Sequence, residues 1–167
     1  MLARLRWLAD RLIGLAATIG ALGLVVEVAV ILADVTGRYF GRPLAGARDV
    51  SEMAMVVLVF GAMALCDRLG GHIAVDIFET RFPLWLRRAG DVASAILGMC
   101  LFLGIAWTVY ESSKLSQLLN LSTNVINLPK VYFQWALSGF SVIAALGMAL
   151  RAVELLVAGR DIREEPA

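Results

Sequence analysis

Histidine occurs once in these 167 residues, at position 72. One imidazole cannot supply bis-histidine haem ligation, a three-ligand zinc site or a His-Glu-x-x-His helix. Cysteine occurs twice, and Cys66 and Cys100 both lie inside apolar runs at no metal or redox spacing, which leaves them as small buried hydrophobes. Charged residues make up only 17% of the chain and cancel to a net +1. No basic stripe is interleaved with aromatics, so nucleic acid is excluded as a partner. Serines are present without a nucleophile-elbow sequence, so a Ser-His-Asp hydrolase is not indicated. No span contains paired Gly/Pro-broken half-helices, an inverted repeat or several midplane carboxylates, the marks of a complete secondary transporter. The chain reads as a non-enzyme that binds no metal or cofactor of its own.

What is abundant is grease. Sixty per cent of the residues are hydrophobic and the mean hydropathy is +0.79, against roughly 45–50% apolar in a soluble domain. The bilayer is the natural solvent for such a chain. Apolar runs cover about 12–36, 50–66, 92–110 and 131–157, each near the ~20 residues that a membrane-crossing helix needs. Only helices satisfy every backbone amide within one such segment. The expected fold is therefore an all-α integral membrane protein with four transmembrane helices. At ~1.5 Å per residue the first run outreaches a ~30 Å hydrocarbon layer and should tilt. It is too long for a signal-peptide core and lacks a clean cleavage site, so it is expected to be retained. Residues 1–160 form a single four-helix membrane domain in this reading, and 161–167 a disordered tail.

Ten of the fifteen Lys and Arg residues fall on the side of the N-terminus, which favours both termini in the cytoplasm. Residues 73–88 mix Val75, Phe78, Phe82 and Trp85 with Asp76, Glu79, Arg81, Arg87 and Arg88, the pattern of a short interfacial helix at the headgroups. Residues 114–130 read as an irregular linker, with Asn127 available to cap the fourth helix and Pro129 in its first turn.

The polar residues inside the grease are the candidate functional positions. A carboxylate at Glu27, near the middle of the first span, costs at least ~2.5 kcal/mol on insertion scales and should face protein or water, or be protonated. Spacings of seven and four put Glu27, Asp34 and Arg38 on one helical stripe, with Asp34 and Arg38 in a favourable ion-pair order. That stripe is either a proton or cation relay or a surface that docks another membrane protein. Asp49 and Glu52 complement the dipole of the second helix, Ser51 is available as its cap, and Glu52 has Arg38, Arg42 and Arg48 in reach. His72 and Asp76 follow the Gly70-Gly71 break and read as hinge residues that satisfy helix ends or a neighbour. Small residues at Ala16/Gly20, Ala17/Ala21, Ser94/Gly98 and Ser141/Ala145/Ala149, with Gly104, permit close helix approach, internally or to a partner.

The stretch RYFGRPLAGARDVSE, the central FGAMA, the exit RLGGHIAVD and the later LSTNVINLPKVYFQWAL together resemble the small membrane subunit of tripartite ATP-independent periplasmic (TRAP) transporters, the DctQ-like family. The resemblance spans essentially the whole chain. It implies a multi-pass protein of the bacterial inner membrane, paired with a large membrane subunit that binds substrate and sodium ions. A periplasmic solute-binding protein would deliver an organic acid, and the ion gradient would drive uptake. By motif match Arg38, Glu52, His72 and Asp76 are the family-pattern positions, with an interface or hinge role expected. The competing readings are a membrane anchor of a redox complex and a small self-assembling channel in which Glu27 lines a pore.

Overall fold

The computed structural model describes residues 2–69 and 83–157. Helix α1 runs Leu2–Tyr39, α2 Ala47–Arg68, α3 Leu84–Leu118 and α4 Lys130–Val157. All four are long and apolar enough to cross a membrane, and no strand occurs among the described residues. The fourth helix begins within one residue of its apolar run. The others overrun theirs, because charged flanks such as Arg4–Arg11 and Glu111–Leu118 continue the helix past the hydrophobic stretch. Among the described residues the connections contain no separate short helix. Residues 84–88 are the opening of α3, and His72, Asp76 and the 161–167 tail lie outside the described residues.

The chain folds as two antiparallel hairpins, α1–α2 and α3–α4, joined mainly where α2 meets α4, with α1 also touching α4. One end of the bundle carries the start of α1 and the ends of α2 and α4; the other carries the 40–46 and 119–129 loops. The centre is a small cluster of Ile13, Ala64, Phe102, Ala144 and Ala145, with Met63, Ile105 and Met148 packed around it. Alanines dominate because helices in lipid gain nothing from burying leucine against leucine; close backbone approach provides the attraction instead. The large apolar side chains point outward, Leu22 at 61% and Trp107 at 67% exposure among them. A water-soluble domain rarely exposes so continuous an apolar surface.

Glycine sets the crossing of α1 and α2. A Cβ on Gly61 would lie 2.7 Å from the Ala16 carbonyl oxygen and 3.0 Å from the Gly20 Cα. The Ala16/Gly20 row thus packs on α2 and not on a distant element, while Ala21 and Gly104 face outward. The α3–α4 pair adds polar contacts: Ser138 Oγ donates to the Ala106 carbonyl at 3.0 Å, and Trp135 Nε1 donates to Ser113 Oγ at 3.0 Å.

Candidate functional site

The polar residues collect at the two ends of the bundle. At the loop end, Asp34 closes the first hairpin. Its Oδ2 accepts from Arg38 Nε at 2.8 Å, the ion pair the spacing predicts, and its Oδ1 accepts from the Leu44 amide at 3.0 Å. The turn is tight: the Arg42 amide donates to the Gly37 carbonyl at 2.7 Å, and a Cβ on Gly37 would run into the Arg42 carbonyl oxygen. Gly41 and Gly46 sit at φ +73 and +81, which a side chain would strain.

Asp49 is buried, at 5% exposure, and its Oδ2 accepts from the backbone amides of Val125 and Ile126 at 2.8 and 3.1 Å. A first-turn carboxylate therefore does more than complement the α2 dipole. It ties α2 to a loop 76 residues away. Ile126 lies directly over Gly46, where an added Cβ would collide with its side chain. The loop is itself braced by Thr123 amide to Leu128 carbonyl at 2.9 Å and by Lys130 amide to Leu121 carbonyl at 3.2 Å. Asn127, at φ +52, uses its side-chain oxygen to accept from Ser122 Oγ at 3.4 Å, so it braces this loop and does not cap α4. Pro129 precedes α4 by one residue. Because Gly46 carries both the left-handed φ and the contact with Ile126, Gly46→Ala is expected to lower stability by at least the ~1–2 kcal/mol of the left-handed penalty alone. Thermal unfolding in detergent measures it.

Glu27 is half-buried on the α1 face that meets α2, where its Oε1 accepts from Ser51 Oγ at 3.4 Å. Ser51 is in the second turn of α2, engaged with Glu27; the helix starts earlier, behind Gly46. Glu52 is exposed and takes Arg48 Nε at 2.9 Å, the nearest of the three arginines available to it. Glu27, Asp34 and Arg38 thus share the side of α1 that faces α2 and the 40–46 turn, while Glu52 points away from it.

The opposite end holds an ion-pair network that a span-by-span reading of the sequence misses. Glu154, at 9% exposure on α4, pairs with Arg6 on α1, and Asp10 on α1 pairs with Arg68 on α2. Arg6 and Asp10 are one turn apart, so α1 presents a cation to α4 and an anion to α2 from one stripe. The only sequence signal is charge persisting in the first and last turns of long apolar helices. Removing one partner of such a pair leaves the other buried and uncompensated. Arg6→Ala is accordingly expected to lower stability by about 1–3 kcal/mol, and Arg6→Ala/Glu154→Leu to recover most of it. A double-mutant cycle by chemical unfolding reads the coupling.

The described residues hold no group of three metal-capable side chains. The polar contacts at both ends act as clamps on the helices and loops. Compared with known families, residues 27–158 match the DctQ component of tripartite ATP-independent periplasmic transporters. The chain belongs to that family. The match runs from Glu27 through the end of α4 and includes the loop-end clamp and Glu154, while Arg6 and Asp10 at the start of α1 lie before it. No curated protein and no solved structure matches the chain. Membership makes it a component of a TRAP transporter, a transporter family and not an enzyme family, and with its four apolar helices a multi-pass membrane protein.

Proposed function

We propose that this DctQ-family chain is the small permease subunit that scaffolds a large, ion-coupled membrane subunit. The pair would take up an organic acid handed over by a periplasmic solute-binding protein, at the bacterial inner membrane with both termini cytoplasmic. The observation that carries the reading is the family match over 27–158. Two features of the bundle support it. Its core is small and built of alanine, while wide faces of α1 and α3 carry only large apolar side chains and outward small residues. And polar groups at both ends of the bundle, Asp49, Arg6–Glu154 and Asp10–Arg68, tie its elements together, so this chain contributes rigidity while substrate and sodium sites are assigned to the partner. The chain itself needs no cofactor in this reading.

Glu27, Asp34, Arg38, Glu52, His72 and Asp76 are assigned interface or hinge roles. Glu27 is the sharpest case. A carboxylate at mid-span with one long hydrogen bond from Ser51 has capacity for a donor from a neighbouring helix. Glu27→Leu is expected to reduce recovery of the large subunit on affinity purification and to reduce uptake in proportion. Full recovery with lost uptake would instead favour a proton or cation relay. Uptake by vesicles that contain only this chain would overturn the subunit reading.

A further inference from the structure

A cleft of about 360 Å³ opens at the loop end between the last turns of α3, the 119–129 loop and the first turns of α4. Its volume falls within the range of small-molecule sites. None of its lining residues is charged, yet it is rich in hydrogen-bonding groups: Ser116, Gln117, Asn120, Ser122 and Asn127. Tyr132 and Trp135 close one side. The nearest cations in sequence, Lys114 and Lys130, do not line it, and Lys114 is held by Glu111 at 2.7 Å.

The frame is rigid for reasons already visible. The loop is braced across its neck and clamped to α2 by Asp49. Trp135 is fixed through its indole nitrogen to Ser113, a residue at 1% exposure, while 47% of the tryptophan remains open. Tyr132 stands edge-on to it at 6.0 Å between ring centroids. By contrast the side-chain amides of Gln117 and Asn120 and the Tyr132 hydroxyl make no hydrogen bond to another described residue. Fixed aromatic walls beside free neutral donors and acceptors select for a ligand that has many hydroxyls and no charge. A carboxylate or phosphate would enter with no cation to meet it and would lose its hydration uncompensated.

We infer that this cleft binds an uncharged polyhydroxyl group, a neutral sugar moiety, held by Gln117, Asn120 and Tyr132 against the Trp135 ring. The helix ends around it lie where a membrane-spanning bundle meets the headgroups, so the sugar could come from a glycolipid or from solution. The site is distinct from any path for an organic acid, which its uncharged lining disfavours.

The full chain in phosphatidylcholine nanodiscs tests this. One arm dopes the discs with monoglucosyl diacylglycerol or with phosphatidylserine and measures co-retained lipid by native mass spectrometry. The other adds methyl glucoside and measures saturation transfer from the aromatic protons. Gln117→Ala/Tyr132→Phe removes two neutral hydrogen bonds and is expected to weaken sugar binding about tenfold. Glucolipid retention that the double variant loses, with methyl glucoside silent, identifies a lipid headgroup. A methyl glucoside signal that the variant loses identifies a free sugar. No response from either sugar probe, equal retention of phosphatidylserine, or indifference to the variant overturns the assignment. Circular dichroism of the variant verifies its fold, and should it fail to fold, Tyr132→Phe alone supplies the same reading.

Discussion

Gly61→Leu is expected to take the α1–α2 hairpin apart. A Cβ at this position meets the Ala16 carbonyl oxygen at 2.7 Å and Gly20 Cα and N at 3.0 and 3.1 Å, all of them backbone atoms. Side chains can swing aside; a carbonyl in the middle of a membrane helix cannot move without breaking its own hydrogen bond. Overpacking costs roughly 1–3 kcal/mol where side chains can yield, and here the remaining carbons of leucine must also be placed between two helix backbones. The loss should exceed that range and read out as a collapsed unfolding midpoint in detergent. The glycines provide their own controls. Gly98 faces the flexible end of Met148, with the nearest atom at 3.1 Å, so Gly98→Ala should be mild. Gly104 has nothing within 4 Å, so Gly104→Ala should gain up to ~1 kcal/mol of helix propensity in the isolated chain. If Gly104→Leu leaves the isolated chain intact but lowers recovery of the large subunit, that face of α3 is a docking surface. Equal tolerance at Gly61 and Gly104 would show that close backbone approach does not hold α1 against α2.

The glycine series also marks how far the sequence could be read. Four helices follow from run length alone, and α4 begins within one residue of its apolar run because Lys130 and Pro129 end it sharply. Helix ends were illegible where charge continues the helix: Arg4, Arg6, Asp10 and Arg11 look like a headgroup-seeking prelude but are the first turns of α1. Small-residue rows announce that a close crossing exists without naming its partner. Ala16/Gly20 is visible as a pattern, whereas its complement, Gly61, stands out only as part of the FGAMA stretch and belongs to none of the small-residue rows. The same limit governs polar residues. The Asp34–Arg38 pair is local and legible from spacing. The Arg6–Glu154 pair joins opposite ends of the chain and depends on which helices become neighbours, a fact of assembly that periodicity does not encode. Asp49 shows both sides of this: its place in a first turn is read from the sequence, and its role as a clamp is not.

Asp49→Ala is expected to release the 119–129 loop from α2. Two amides, Val125 and Ile126, share one carboxylate oxygen as acceptor, and the Thr123 hydroxyl faces the same group. Alanine leaves both amides without their acceptor and removes the acidic residue from the first turn of α2. The loop's internal bonds, Thr123 to Leu128 and Leu121 to Lys130, are untouched, so it should swing away as a unit and not melt. Amide hydrogen exchange at Val125 and Ile126 is then expected to accelerate on the order of tenfold or more, with Thr123 and Leu128 changing little. Asp49→Asn retains one acceptor oxygen without the charge, so exchange should fall between the two. Protease cleavage within 119–129 should follow the same order, native slowest and alanine fastest. Acceleration spread evenly over the loop and the start of α4 would mean that the 119–129 segment is ordered by Asp49 and not merely anchored by it. Unchanged exchange at Val125 and Ile126 would remove Asp49 from the clamp altogether. The effect matters beyond one loop because the hairpins meet chiefly through α2 and α4, and this clamp fixes their relative height at the loop end as the Arg6–Glu154 pair does at the other, with Asp10–Arg68 holding α1 to α2 beside it. A rigid scaffold with an alanine core needs such fasteners at both ends. Weakening one should loosen the whole bundle before any single helix unfolds.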